Sequence, residues 1–198
     1  MSSFQASTFL KLAVAAVAFI SQAAFATPVN FSGALTASDP VYNRPFTTNF
    51  LSSIGTRVAY DVYGFHVSAN GTYSIEATAF NTTGAGLASD SFLALYGNTF
   101  NPASPLANLL QVDDDSGVGS LSRLNSALTA GTQYYLIFTS YSNNQYGTYT
   151  GRFDTVLGGG QVSLDAAAAP GQVPEPGTLA LFPLALLGMR MARRRNRA

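Results

Sequence analysis

A chain of 198 residues with 10% charged residues, no Cys, no Trp and one His (His66) has a short list of available chemistries. Without cysteine there is no disulfide framework, thiol nucleophile or Cys-ligated metal site, and a Ser-His-Asp triad would have to run through His66 alone. The net charge of zero hides a segregation: from Thr27 to Gln172 four arginines face nine acids, a net of −5 with no lysine, so the basic stripe that nucleic acid requires is absent.

In chain order, residues 1–26 come first and read as a secretory signal peptide. Lys11 supplies the positive charge, Leu12 to Ile20 form an apolar run too short to span a bilayer, and Ala24-Phe25-Ala26 fits the small-x-small cleavage rule. Signal peptidase is the partner this implies, with a mature start at Thr27. The alternative is a short N-terminal helix of the fold itself.

Strand signals then dominate. Val58 to Val67 is aromatic and β-branched, and Asn70-Gly71 is a strong hairpin turn. Tyr73, Ile75, Ala77 and Ala79 alternate with Thr72, Ser74, Glu76 and Thr78, the pattern of a half-buried strand. Phe92–Tyr96, Leu109–Val112, Leu124–Leu128, Gln133–Ser140 and Thr148–Val156 follow, with Gly131 and Gly147 marking turns. No window keeps a 3.6-residue period. The fold class is therefore all-β, an antiparallel β-sandwich of jelly-roll type over residues 27–165. Nineteen Phe and Tyr side chains supply much of its core.

Several landmarks recur in a familiar order: Asp61-Val62-Tyr63-Gly64-Phe65-His66-Val67, Gly71-Thr72-Tyr73-Ser74-Ile75, and Asp90-Ser91-Phe92-Leu93-Ala94-Leu95-Tyr96. Val112-Asp113-Asp114-Asp115-Ser116-Gly117, Leu128 to Leu136 and Gly147-Thr148-Tyr149-Thr150 complete the set. Over residues 55–155 this series resembles the bacterial pre-peptidase C-terminal (PPC) domain. The resemblance implies a β-sandwich. No protease stands ahead of it in this sequence, so the peptidase association does not carry over.

Asp113-Asp114-Asp115 is the densest charge in the body. Adjacent carboxylates repel one another and gain from a hard cation with oxygen ligands, so these three with Asp90 form a candidate Ca²⁺ site. The spacing is not that of an EF-hand loop. The alternative is a solvated acidic loop whose aspartates cap turn amides. Tyr141 and Tyr146 flank a polar turn, Ser142 to Gln145, and could stack on a sugar; the alternative is that they pack in the core or at an edge. His66 lies in a strand between Phe65 and Val67, no serine sits in a nucleophile elbow, and Glu76 is the body's only glutamate. None of these makes a catalytic constellation, and the chain reads as a non-enzyme.

Residues 166–172 (AAAAPGQ) form a linker into the tail, 173–198. Val173-Pro174-Glu175-Pro176 precedes an apolar stretch, which begins at Thr178 and extends to Ala192, and then the basic run Arg190, Arg193, Arg194, Arg195 and Arg197. This tail resembles the PEP-CTERM sorting signal of Gram-negative bacteria. The resemblance implies recognition by an exosortase-type membrane enzyme that removes the tail, and an association with exopolysaccharide and biofilm. As a helix, the twelve residues Thr178–Met189 rise only about 18 Å against a hydrocarbon core of ~30 Å, and Pro183 interrupts them. The expected segment is a short apolar helix, 178–192, that holds the membrane transiently, with its arginines in the cytoplasm and the body outside. The expected product is a non-catalytic β-sandwich of the cell surface or extracellular matrix. The alternative is a carbohydrate-binding module that engages exopolysaccharide.

Overall fold

The computed structural model of the protein describes residues 26–83 and 89–166. The expected signal peptide up to Phe25, the linker from Ala167 onward and the whole sorting tail lie outside the described residues. Among the described residues no helix is long and apolar enough to cross a membrane. The described residues form ten strands: β1 (Val29–Leu35), β2 (Val41–Tyr42), β3 (Val58–Val67), β4 (Gly71–Thr82) and β5 (Ser91–Gly97), then β6 (Leu109–Asp113), β7 (Arg123–Leu128), β8 (Tyr134–Ser140), β9 (Gly147–Leu157) and β10 (Val162–Leu164).

Every strand pairing is antiparallel. One sheet runs β1-β9-β4-β7; the other runs β10-β3-β8-β5-β6, with β2 also paired to β3. Without the short β2 and β10, the orders β1-β9-β4-β7 and β3-β8-β5-β6 are the two sheets of a jelly roll. The sheets face each other across one core. Phe31, Leu35, Tyr73, Ile75, Tyr149 and Phe153 come from the first sheet and Phe65, Leu93, Leu95, Leu136 and Phe138 from the second.

β9 shows the period-2 pattern cleanly, with alternate residues buried from Gly147 to Phe153. β4 departs from the expected alternation. A register shift between Ala77 and Ala79 turns the strand by one residue, so Phe80 rather than Ala79 is the next fully covered side chain. β5 and β8 are buried along their whole length. One face of each meets the opposite sheet, and the other lies under a second cluster of Tyr42, Val58, Tyr60, Phe100 and their own Phe92, Ala94, Tyr96, Tyr135 and Ile137. Strands covered on both faces lose their alternation, which is why these two read as continuous apolar runs.

Inside the main core Phe138 stacks on Tyr149 with ring centroids 3.7 Å apart. The Tyr149 hydroxyl donates to Asp61 Oδ2 at 2.5 Å and lies 2.6 Å from the Tyr63 hydroxyl. Burial raises the pKa of the Asp61 carboxyl, and the Tyr149 hydrogen bond works against that rise. Gly147 opens β9 at φ 153°, where a Cβ would sit 2.0 Å from the Asn81 carbonyl oxygen. Only glycine lets β9 start this close to the end of β4.

Candidate functional site

The strand registers bring the candidate residues together. β5 and β6 are neighbours with Leu93 opposite Asp113, so the residue before β5 and the residues after β6 meet at the same end of the sheet. Ser91 also pairs with Ser140, and Tyr60 with Thr139, so the start of β3 and the end of β8 share that end. There Asp90, Asp114 and Asp115 each offer a carboxylate oxygen within 4.8 Å of the others.

Asp113 departs from the expected ligand set. Its Oδ2 accepts hydrogen bonds from the amides of Ser116 (3.0 Å) and Arg123 (2.7 Å), and its Oδ1 accepts one from the Ser116 hydroxyl (2.5 Å). Both oxygens are committed to the turn, the capping role that an aspartate after a strand readily takes. Asp113 is the last residue of β6, while Asp114 and Asp115 lie in the turn beyond it, where the strand's alternation no longer applies.

Asp90 is held firmly. Its carbonyl accepts from the Tyr141 amide at 3.0 Å, and next to it the Ser91 hydroxyl accepts from the Ser122 amide at 2.9 Å. Burial pushes the Asp90 carboxyl up to about 6, with Asp115 adding to the rise and Arg44 opposing it. Burial likewise pushes Asp114 up to about 7, reinforced by Asp90 and Asp115 and again opposed by Arg44. One oxygen of Asp90 and one of Asp114 are buried with no hydrogen-bond partner in the protein. Charges that are crowded, partly desolvated and unpaired are costly, and a hard cation with oxygen ligands relieves that cost.

Arg44 is the neighbour that the sequence reading overlooked. It is fully buried, with its guanidinium 4.0 Å from the Phe92 ring centroid and 4.6 Å from that of Tyr141. Nε donates to the Tyr141 carbonyl at 2.9 Å and Nη1 to the Pro45 carbonyl at 2.9 Å. Nη2 has no hydrogen-bond partner in the protein. Desolvation lowers its pKa, and Asp114 offsets part of that fall. The available sequence signal was an arginine isolated in a stretch without acids.

The other candidates lie apart. His66 is half-buried, with Nδ1 3.0 Å from Asp165 Oδ1, and Gln133 donates to the other oxygen of that aspartate at 2.8 Å. Glu76 faces Arg152 at 3.4 Å across β4 and β9. Tyr141 and Tyr146 are both half-buried, Tyr141 against the second cluster and Tyr146 against the main core. One face of Tyr141 is therefore occupied by Arg44.

Residues 172–195 match the PEP-CTERM protein-sorting motif. That motif implies an exported protein, held transiently in the membrane through its C-terminus and processed by an exosortase-type sorting enzyme. No curated protein matches the chain. Among solved structures, the crystal structure of the pre-peptidase C-terminal domain of a collagenase from Bacillus anthracis aligns with 64% of this chain and 88% of that one, at 18% identity and a TM-score of 0.37.

Proposed function

We propose that the chain is a non-catalytic β-sandwich that is cut free of its tail and then works at the cell surface or in an exopolysaccharide matrix. The observation that supports this best is the sorting motif at residues 172–195, which ends in the arginine-rich run. On this reading residues 1–26 are removed on export, residues 27–165 are the working domain, and the segment 178–192 spans the membrane only until cleavage. Intact mass spectrometry of the surface fraction tests the proposal. The expected species starts at Thr27 and lacks Arg190 to Arg197. Full-length C-termini on most surface molecules would overturn it.

Within this reading, Asp90, Asp114 and Asp115 take Ca²⁺ from the medium. The support is their convergence and the two buried oxygens without partners. Three side chains leave the remaining positions of a Ca²⁺ shell to water or backbone carbonyls, which suits the weak, roughly 0.1–1 mM affinities of extracellular modules. The carbohydrate-binding alternative would rest on the solvent-accessible parts of the half-buried Tyr141 and Tyr146. A glycan-array screen separates the two readings, since selective binding lost in Tyr141→Ala and Tyr146→Ala would favour the module.

A further inference from the structure

Four of the large exposed apolar side chains stand together on the loop between β2 and β3. Phe46, Phe50, Leu51 and Ile54 are exposed by 59%, 67%, 42% and 48%. The loop is firmly built. The Phe46 amide donates to the Phe50 carbonyl at 2.7 Å, the Ser52 amide to the Arg44 carbonyl at 2.9 Å and the Arg44 amide to the Gly55 carbonyl at 3.0 Å. The Ser52 hydroxyl oxygen accepts the amides of Ile54 and Gly55 at 3.1 and 2.9 Å. Arg44 lies beneath the loop, packed so closely that a Cβ on Gly55 would sit 2.5 Å from its Nε. A loop held this way displays its aromatic tip instead of folding it inward, and grouped exposed apolar side chains mark an interaction site.

We propose that this loop docks onto a lipid surface, the outer face of the membrane that holds the precursor. The proposal rests on the sorted-precursor reading above. Two observations favour lipid over other occupants. The first is direction: β10 pairs Val162 with Val67 and Leu164 with Phe65, so it runs toward the start of β3, the end at which the loop stands. The sorting motif begins at residue 172, a few residues beyond Asp165, so the strand that precedes the tail in sequence points to this end. The second is composition: residues 40 to 60 contain no acid, Arg57 is their exposed charge, and Arg44 is buried beneath the tip, while the acidic trio at the same end disfavours anionic headgroups and leaves zwitterionic lipid as the surface that fits. An apolar tip whose exposed charged neighbour in its own segment is Arg57 suits the headgroup–acyl boundary, where Phe and Leu side chains enter and an arginine stays at the surface. Docking would fix the orientation of the body while the tail is cleaved.

The chain has no tryptophan, so Phe50→Trp introduces a single reporter at the tip. Leu157→Trp is the control, because Leu157 is 72% exposed at the far end of β9. Each full-length variant is reconstituted into phosphatidylcholine vesicles with or without brominated acyl chains, and flotation reports tail anchoring separately. The expected result is blue-shifted emission from Trp at position 50 that loses most of its intensity in brominated vesicles, while Trp at position 157 is unquenched. A floating protein whose Trp at position 50 stays water-like and unquenched overturns the docking proposal and leaves the anchoring reading standing. A blue shift without bromine quenching means that protein, a second copy included, covers the tip, and this also overturns it. Failure to float together with loss of quenching overturns both.

Discussion

Asp114 and Asp90 carry the most informative charges in the molecule, because burial and mutual repulsion hold their carboxyls near 7 and 6. An ordinary aspartate in the unfolded chain titrates near 3.9. Between roughly pH 4 and 7 the folded protein therefore holds protons that the unfolded chain has released, and stability falls as pH rises. In EDTA the melting temperature should be higher at pH 5 than at pH 8. Ca²⁺ competes with those protons, so its stabilisation should grow as pH rises through the same window. At 100 times Kd the gain is about 2.7 kcal/mol, roughly 5–10 °C for a domain of this size. Asp114→Asn should raise the melting temperature in EDTA at pH 8 and remove the calcium response. Identical melting curves in Ca²⁺ and EDTA would leave the trio a solvated acidic cluster. Two glycines give a second contrast at this scale. Gly147→Ala should cost about 3 kcal/mol or more, since its Cβ would collide with the Asn81 carbonyl oxygen 2.0 Å away. Gly119 has φ 67° with open space around it, so Gly119→Ala should cost only about 1 kcal/mol. Urea unfolding measures both.

At the scale of elements, the β2–β3 loop, the β8–β9 turn and the start of β5 are tied by one side chain. Arg44 donates to Pro45 and Tyr141 and lies against Phe92 and Tyr141, while the Arg57 amide donates to Asn143 Oδ1 at 2.7 Å. Arg44→Ala would remove one buried and one partly buried hydrogen bond, two ring contacts and the charge that offsets Asp90 and Asp114. A loss of about 3 kcal/mol in urea unfolding is expected. Arg44→Lys should recover little, because an ammonium cannot lie flat between two rings and donate in two directions. Recovery of most of the stability by lysine would show that charge alone matters. Phe138→Ala tests the sandwich interior, where loss of the ring stacked on Tyr149 should cost about 3–5 kcal/mol.

At the scale of the whole molecule, membrane retention is a balance between a short apolar stretch and the arginines behind it. Anionic lipid attracts each Lys or Arg near the surface by about 1 kcal/mol. Replacing Arg193, Arg194, Arg195 and Arg197 with Gln should therefore move precursor into the soluble periplasmic fraction of cells lacking the sorting enzyme. The body should melt unchanged. Pro183→Leu should act the other way and strengthen retention, since proline disfavours a helix interior and leucine adds apolar surface. If the arginine-free precursor remains wholly in the membrane, the apolar stretch anchors alone and the balance is wrong.

The sequence by itself determined the fold class and most strands, because alternation such as that on β9 is a local property written in adjacent residues; Asn70-Gly71 marked a chain reversal, but β3 and β4 lie in different sheets, so it closes no hairpin. It also displayed the sorting tail, whose Pro-Glu-Pro, apolar and basic parts act in linear order. β1, β2 and β10 were not legible as strands, since they are short or Gly-containing and owe their conformation to the neighbours they pair with. The Ala77–Ala79 bulge, and with it the inward turn of Phe80, depends on how β4 meets β9. The acidic site was half legible. Asp90 and the acidic run stood out by composition, but only the β5–β6 register decided that Asp114 and Asp115 face Asp90 while Asp113 caps its own turn. Arg44 was invisible as part of the site, because the rings it lies against, Phe92 and Tyr141, are far away along the chain. Local patterns survive in one dimension; a site assembled from three loops at one end of a jelly roll exists only once the strands are in register.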